Sequence, residues 1–262
     1  MLRIQRRSRL ELWSDVIFAL LIRQLTSKFN DKFGVSWLII QPVSFILVLS
    51  LLKGRLGDSA NNGIPTFVFM MLGIVTVFQF LSSWGSVSSV IKKDKPLYAF
   101  RQVLPIASIL TTIFIELITK IVVMSVLCFS CYILKINLQV SDPLRVFLYL
   151  LEIQLIAFSI GMIFGISKLF VGEISKLEQL LKRPLIFISG AFFTLSELPE
   201  AAWPYLTWNP ILHAVELARG HSYPSFEIVS AISSTYLHLF TLTVMFIALA
   251  LYFIFWKKAV SR

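Results

Sequence analysis

None of the 11 glycines falls in a G-x-x-x-x-G-K-[ST] run, so the chain has no phosphate-cradling loop with which to hydrolyse ATP by that route. There is no H-E-x-x-H pair either, and the three histidines, His213, His221 and His238, are not spaced as metal ligands. The two cysteines, Cys128 and Cys131, form "CFSC" inside an apolar run with no second pair, which makes them small buried hydrophobes rather than a redox or zinc motif. Acidic residues are scarce as well, at 14 against 24 Lys and Arg. A proton-driven pump needs a chain of intramembrane carboxylates, so their scarcity points to an energy source outside this polypeptide.

What the sequence has in excess is apolar surface: 57% of its 262 residues are hydrophobic, 23 of them Phe. The mean hydropathy of +0.81 is too high for one soluble core. Crossing a hydrocarbon layer of about 30 Å takes about 20 helical residues. Six runs approach that length: Val35 to Leu52, Ile64 to Trp84, Ile106 to Leu134, Val146 to Leu169, Leu177 to Leu195, and Ile232 to Phe255. With the N-terminus placed in the cytoplasm, 18 Lys and Arg fall on the cytoplasmic side and five on the other, with Lys120 inside a span. The expectation is an all-α integral membrane protein of six transmembrane helices with both termini cytoplasmic. The net charge of +10 then belongs to the membrane rim, and nucleic acid is not needed to explain it.

Ahead of the first run, Val16 to Ile22 is too short for a signal peptide core and no small-residue cleavage site follows. Leu10, Trp13, Ile17, Leu20 and Leu21 recur at helical spacing instead. Residues 1–33 are therefore expected to form an amphipathic helix at the cytoplasmic membrane surface. Three of the ionisable residues within the runs stand out. Glu116 and Lys120 stand four apart, suited to a helical ion pair or to a role in transport, and Glu152 has no such neighbour. Gly161 and Gly165 form "GMIFG", which permits close helix approach within the chain or between two copies. "SSWGSVSS" gathers five hydroxyls around Trp84 and suits a hydrated path.

Two segments between runs stand out. "KKDKPLYAFRQVLP", residues 92–105, is short and basic and carries Pro96 and Tyr98, as an anchored loop or a docking element would. Residues 196–231 hold Trp203, Tyr205, Trp208, four prolines and four Glu against Arg219 alone. That stretch is too apolar for a solvated loop, and short helices dipping into the outer interface fit it best, either as a lid over a pore or as an aromatic belt.

In this order the pieces resemble the membrane subunit of ABC-2 type exporters, and among them the export permeases of group 2 capsular polysaccharides. The likeness spans nearly the whole chain. It is carried by "FALLIRQLTSKFNDKFGVSWLIIQP" with Arg23, Gly34, Trp37 and Pro42, by "DKPLYAFRQVLPI" and "RPLIFISGAFFTLSELP", and by "WNPILHAVELARG" with Asn209, Pro210, Glu216 and Arg219. Gln24 and Gln41 stand where the family usually has acids. The resemblance implies one ABC-2 transmembrane domain: interface helix 1–33, spans 1–5 over 35–195, a periplasmic gate segment of re-entrant helices at 196–231, span 6 over 232–255 and a cytoplasmic tail at 256–262. It implies a non-enzymatic subunit with no cofactor of its own, ATP and magnesium being held by a partner. The expected partners are a second copy, two ABC ATPase subunits, an inner-membrane polysaccharide co-polymerase reaching the periplasm, an outer-membrane export channel and a lipid-linked polysaccharide. The location would be the bacterial inner membrane. O-antigen, teichoic acid or a small amphiphile is the alternative cargo; a membrane transferase lacks the clustered carboxylates it would need.

The ATPase-facing residues implied are Arg23, Lys92, Lys93, Asp94, Lys95, Pro96 and Tyr98. Aromatic rings hold sugar C–H faces loosely, which nominates Trp84, Phe192, Phe193, Trp203, Tyr205 and Trp208 for the polysaccharide path. Asn209 and Pro210 join them at the gate. The four outer Glu would repel an acidic polymer and discourage its return.

Overall fold

The computed structural model describes residues 9–29, 32–52, 63–100 and 102–261. These form helices and turns and no strand. The helices are α1 (Arg9–Phe29), α2 (Lys32–Leu52), α3 (Thr66–Met70), α4 (Thr76–Lys93), α5 (Pro105–Ile133), α6 (Pro143–Phe170), α7 (Ile174–Ile188), α8 (Pro210–Ser222) and α9 (Ser234–Ser261). Residues 1–8 and 30–31, at the edges of the expected interface helix, lie outside the described residues, as do 53–62, Arg101 and Arg262.

Four helices among the described residues are long and apolar enough to cross a membrane: Thr66–Lys93, Pro105–Ile133, Pro143–Phe170 and Ser234–Lys257. The first joins α3 to α4 through a π-helical turn at Met71–Val75 and runs nine residues beyond the expected end at Trp84, to Lys93. The hydroxyl-rich stretch therefore sits in the body of α4. Two of the six expected runs behave differently. α2 contributes an apolar stretch at Ile40–Leu52. α7 has 15 residues, about 22 Å of helix, and stops at Ile188 rather than Leu195. Its chain then turns through Gly190, whose φ of +71° is readily adopted only by glycine. α9 continues through the expected tail to Ser261.

Local chemistry sets several of these boundaries. Pro105, Pro143 and Pro210 each open a helix at a position where a missing N–H costs nothing. Asp142 caps α6 by accepting from the Arg145 N–H at 3.1 Å. Asn209 does the same for α8, accepting from Ile211 N–H at 3.0 Å.

The centre of the bundle is α4 packed lengthwise on α6, with α9 on the far side of α6. The close fit comes from the two glycines of "GMIFG". A Cβ on Gly161 would lie 2.8 Å from Val87 Cβ, and one on Gly165 would lie 3.3 Å from Ser88 Cα. The motif thus serves packing within the chain. Around this pair one large core joins α3, α4, α6 and α8, and a smaller one joins the Val87–Ile91 end of α4 to α6 and α9. α1 packs along α5, while α2 and α9 leave Trp37, Val48, Phe246 and Phe253 exposed.

Replacing Gly161 by Leu should force α4 and α6 apart and cost about 1–3 kcal/mol. Gly172 has open space around it, so Gly172→Leu should leave stability unchanged. Thermal unfolding of the purified variants in detergent measures both.

Candidate functional site

Residues 189–233 cap the bundle end opposite the 92–104 turn. They comprise 3₁₀ turns at Leu195–Glu197 and Glu200–Tyr205, then α8. Their anchor is Arg219, which is fully buried. Its Nη1 donates to the Phe193 carbonyl at 3.0 Å, and its Nη2 donates to the carbonyls of Phe69 at 3.1 Å and Ala191 at 3.5 Å. The guanidinium lies 3.5 Å over the Phe69 ring, and Glu216, also fully buried, balances its charge at 3.5 Å. Glu216 in turn accepts from the Thr194 hydroxyl at 3.1 Å. The fit requires Gly73, in the π-turn, to lack a side chain: a Cβ there would lie 2.4 Å from Arg219 Nη2. One buried cation thus ties the 189–195 turn, α8 and α3 together.

The sequence-nominated residues of this segment divide into buried fixings and exposed rings. Asn209 donates to the Ile188 carbonyl at 3.2 Å and to Ser189 Oγ at 2.9 Å, and Pro210 is buried beside it. Trp203 donates to the Leu195 and Leu198 carbonyls at 3.0 and 3.1 Å. Phe193 contributes its carbonyl to Arg219, and Phe192 stacks edgewise on Phe45 of α2. Tyr205 and Trp208 remain exposed, joined by an indole N–H to carbonyl bond of 2.8 Å. Trp84 stands apart from all of these, buried between Phe80 and Phe164.

His213 had no role in the sequence beyond failing as a metal ligand, yet it closes the segment. Its Nε2 meets the Thr207 carbonyl at 2.7 Å and its Nδ1 accepts from Ser233 N–H at 3.0 Å, which fixes a neutral tautomer. Burial holds its pKa below the usual imidazole value.

At the other end, the ATPase-facing candidates converge. Arg23 of α1 pairs with the buried Asp94 at 2.5 Å across 71 positions of sequence. Lys95, Pro96 and Tyr98 follow in a 3₁₀ turn, and Lys92 and Lys93 are exposed in the last turn of α4. Burial, reinforced by the Asp94 carboxylate, pushes the Tyr98 phenol above its usual range. A second cluster here was not singled out from sequence: Glu178 of α7 is buried between Lys168 of α6 and Lys182, and accepts from Ser88 Oγ of α4 at 3.0 Å. The i, i+4 spacing of Glu178 and Lys182 was the available signal.

Between the two ends lies a polar flank. Glu116 pairs with Lys28 of α1 at 3.3 Å rather than with Lys120, because the α4 hydroxyls and α1 both meet its side of α5. It also accepts from Ser86 at 2.9 Å and from Ser82 and Gln79 at 3.4 Å. Gln24 bonds Thr111 and Thr112 at 3.2 and 3.3 Å. A cavity of about 540 Å³ opens here between α1, α4 and α5, lined by the hydroxyls of Ser86, Ser89 and Thr112 together with the charged Lys28, Lys93, Asp94 and Glu116. A second, of about 320 Å³, continues past Gln79 and Ser82 to Gln41 and Phe78. Lys120 sits on another side of α5 and donates to the Leu150 carbonyl at 3.0 Å. Glu152 finds a partner invisible in the local sequence, His238 of α9, at 2.6 Å.

Four helices of membrane length with a polar flank define the class as an integral membrane helix bundle. More narrowly, the chain belongs to the ABC-2 type transporter family, which its residues 15–223 match. It is 30% identical to the polysialic acid transport protein KpsM of Escherichia coli, over 94% of this chain and 95% of that one. It is 24% identical to the capsule polysaccharide export inner-membrane protein BexB of Haemophilus influenzae, over 83% of this chain and 82% of the other. The capsule polysaccharide export inner-membrane protein CtrC of Neisseria meningitidis serogroup B is 24% identical, over 95% and 91%.

Replacing Arg219 by Met strands three carbonyls and the Glu216 carboxylate, and should cost about 3–5 kcal/mol. Arg219→Lys should recover little of this, since an ammonium lacks the planar fork that reaches Phe69 and Phe193 together. Thermal unfolding and protease cleavage within 196–208 are the readouts. His213 gives a pH dependence. Its folded pKa is depressed, so the stability it lends is present above the ordinary imidazole value, about 6.5, and is lost as pH falls below it. Limited proteolysis of this segment should accelerate on acidification, and less so in His213→Gln.

Proposed function

We propose that this chain is the membrane-spanning permease subunit of an ATP-driven exporter moving a lipid-linked, acidic capsular polysaccharide from cytoplasm to periplasm across the bacterial inner membrane. The observation that carries this reading is near full-length similarity to KpsM, a polysialic acid transport protein, joined by similarity to BexB and CtrC, which export capsule polysaccharide. Two cavities along one flank support it, because sugars are held by hydroxyls and amides such as Ser82, Ser86, Ser89, Thr112 and Gln79, and the Glu116 charge beside them is balanced by Lys28.

In this reading α2 and α7 complete six spans, with both termini in the cytoplasm. α1 is the interface helix, and residues 196–231 form the periplasmic gate. Two copies enclose the path and each binds an ABC ATPase subunit, where ATP and magnesium reside. Arg23, Lys92 to Pro96 and Tyr98 face that subunit, and the Arg23–Asp94 pair makes α1 and the 92–100 turn respond together to its movement. A co-polymerase and an outer-membrane channel take the polymer onward. Gate opening requires residues 189–208 to move against α3, so the carbonyl contacts of Arg219 hold the closed state.

Deleting the gene in its host and staining for polysaccharide, before and after permeabilisation, tests the assignment. Loss from the surface with accumulation inside is expected. Absence from both places would make the step biosynthetic, and an unchanged surface would exclude capsule as the cargo.

A further inference from the structure

The flank of α5 opposite its polar side carries a different kind of cavity. Between α5 and the first half of α6 runs a groove of about 530 Å³, walled by Leu117, Ile121, Met124, Val146, Phe147 and Leu150. Among the described residues its one charged wall residue is Lys120, 8% exposed. The ammonium makes one bond among the described residues, to the Leu150 carbonyl, and none of their carboxylates lies within ion-pair distance of it. Glu116, one turn away, is engaged on the other side of the helix by Lys28, Ser86, Ser82 and Gln79. Large apolar side chains flank the groove on both helices, with Phe114, Phe129, Leu144 and Phe147 each more than half exposed.

A cation in hydrocarbon is costly and calls for a counter-charge at its own depth. Leu150 lies seven residues into α6, about 10 Å below the turn joining α5 to α6. A lipid headgroup sits at the interface, above this level. Among the described residues a second copy of the chain offers no unpaired acid from its long helices, because Glu116, Glu152 and Glu178 are each paired already. We infer that the α5–α6 groove is the seat of an apolar membrane-spanning helix of a partner protein, whose Asp or Glu, about two turns in from the α5–α6 end, pairs with Lys120. The inference does not depend on which cargo is exported.

The test uses the full-length chain in nanodiscs of zwitterionic lipid and a synthetic leucine-rich transmembrane peptide of about 22 residues. The peptide carries a photo-crosslinker and a single Glu about eight residues from one end, or Gln in its place. Mass spectrometry locates the cross-links. The Glu peptide should label the α5–α6 groove on the order of tenfold more than the Gln peptide, the scale of polar helix pairing in membranes. The difference should vanish in Lys120→Met, or in Lys120→Gln should the Met variant fail to fold. Equal labelling by the two peptides would overturn the proposal, as would a preference that survives loss of the lysine. If phosphatidylglycerol abolishes labelling of the wild type, the site belongs to an anionic lipid and the proposal fails.

Discussion

The fold depends on one cation that never meets water. Arg219 lies at the junction of α8, the 189–195 turn and α3, and its fork reaches the carbonyls of Phe69, beside the π-turn, and of Ala191 and Phe193, in irregular backbone. Unpaired carbonyls in an apolar setting cost several kcal/mol each, so short broken helices at the bundle end need a donor of this reach. A guanidinium supplies it with one side chain, and Glu216 neutralises it. Gly73 and Gly190 follow from that choice, since one clears space for the fork and the other turns the chain toward it.

The opposite end repeats the principle with different parts. Asp94 and Glu178 are buried acids, each reached by a cation from another helix, and between them they tie α1, α4, α6 and α7. The long packed pair α4–α6 closes by shape at Gly161 and Gly165, with Gln154 and Lys168 of α6 donating to Ser83 and Ser88 of α4 across it. The molecule is therefore a dispersion-packed core with polar ties at its margins. Polar ties exchange partners more readily than packed side chains do, so the margins are where motion belongs in the proposed transport cycle.

Much of this was legible in the sequence. Hydropathy marked six runs, of which four are membrane-length helices among the described residues, and Arg219 and Asn209 stood in one of the two more specific motifs. Long-range pairing was not legible. Glu116 and Lys120 have ideal spacing for an ion pair, yet the approach of α1 gives the acid to Lys28, and nothing local announces that. His238 answers Glu152 from 86 residues away for the same reason. Trp84, read beside its serines, looked like part of a path. Which side of a long helix is buried depends on neighbours, and here α6 and Phe164 cover it. The hydroxyls around it divide between Glu116, Gln154 and Glu178.

The central claim is that residues 189–208 are held against α3 in the resting protein and leave it during transport. The most direct measurement is pulsed EPR between spin labels at Tyr205 and Tyr132, both well exposed, in the permease assembled with its ATPase. The account predicts one distance without nucleotide, a second population when ATP is bound, and that second population already present without nucleotide in Arg219→Met. A single distribution, unchanged by ATP and by the substitution, would contradict it.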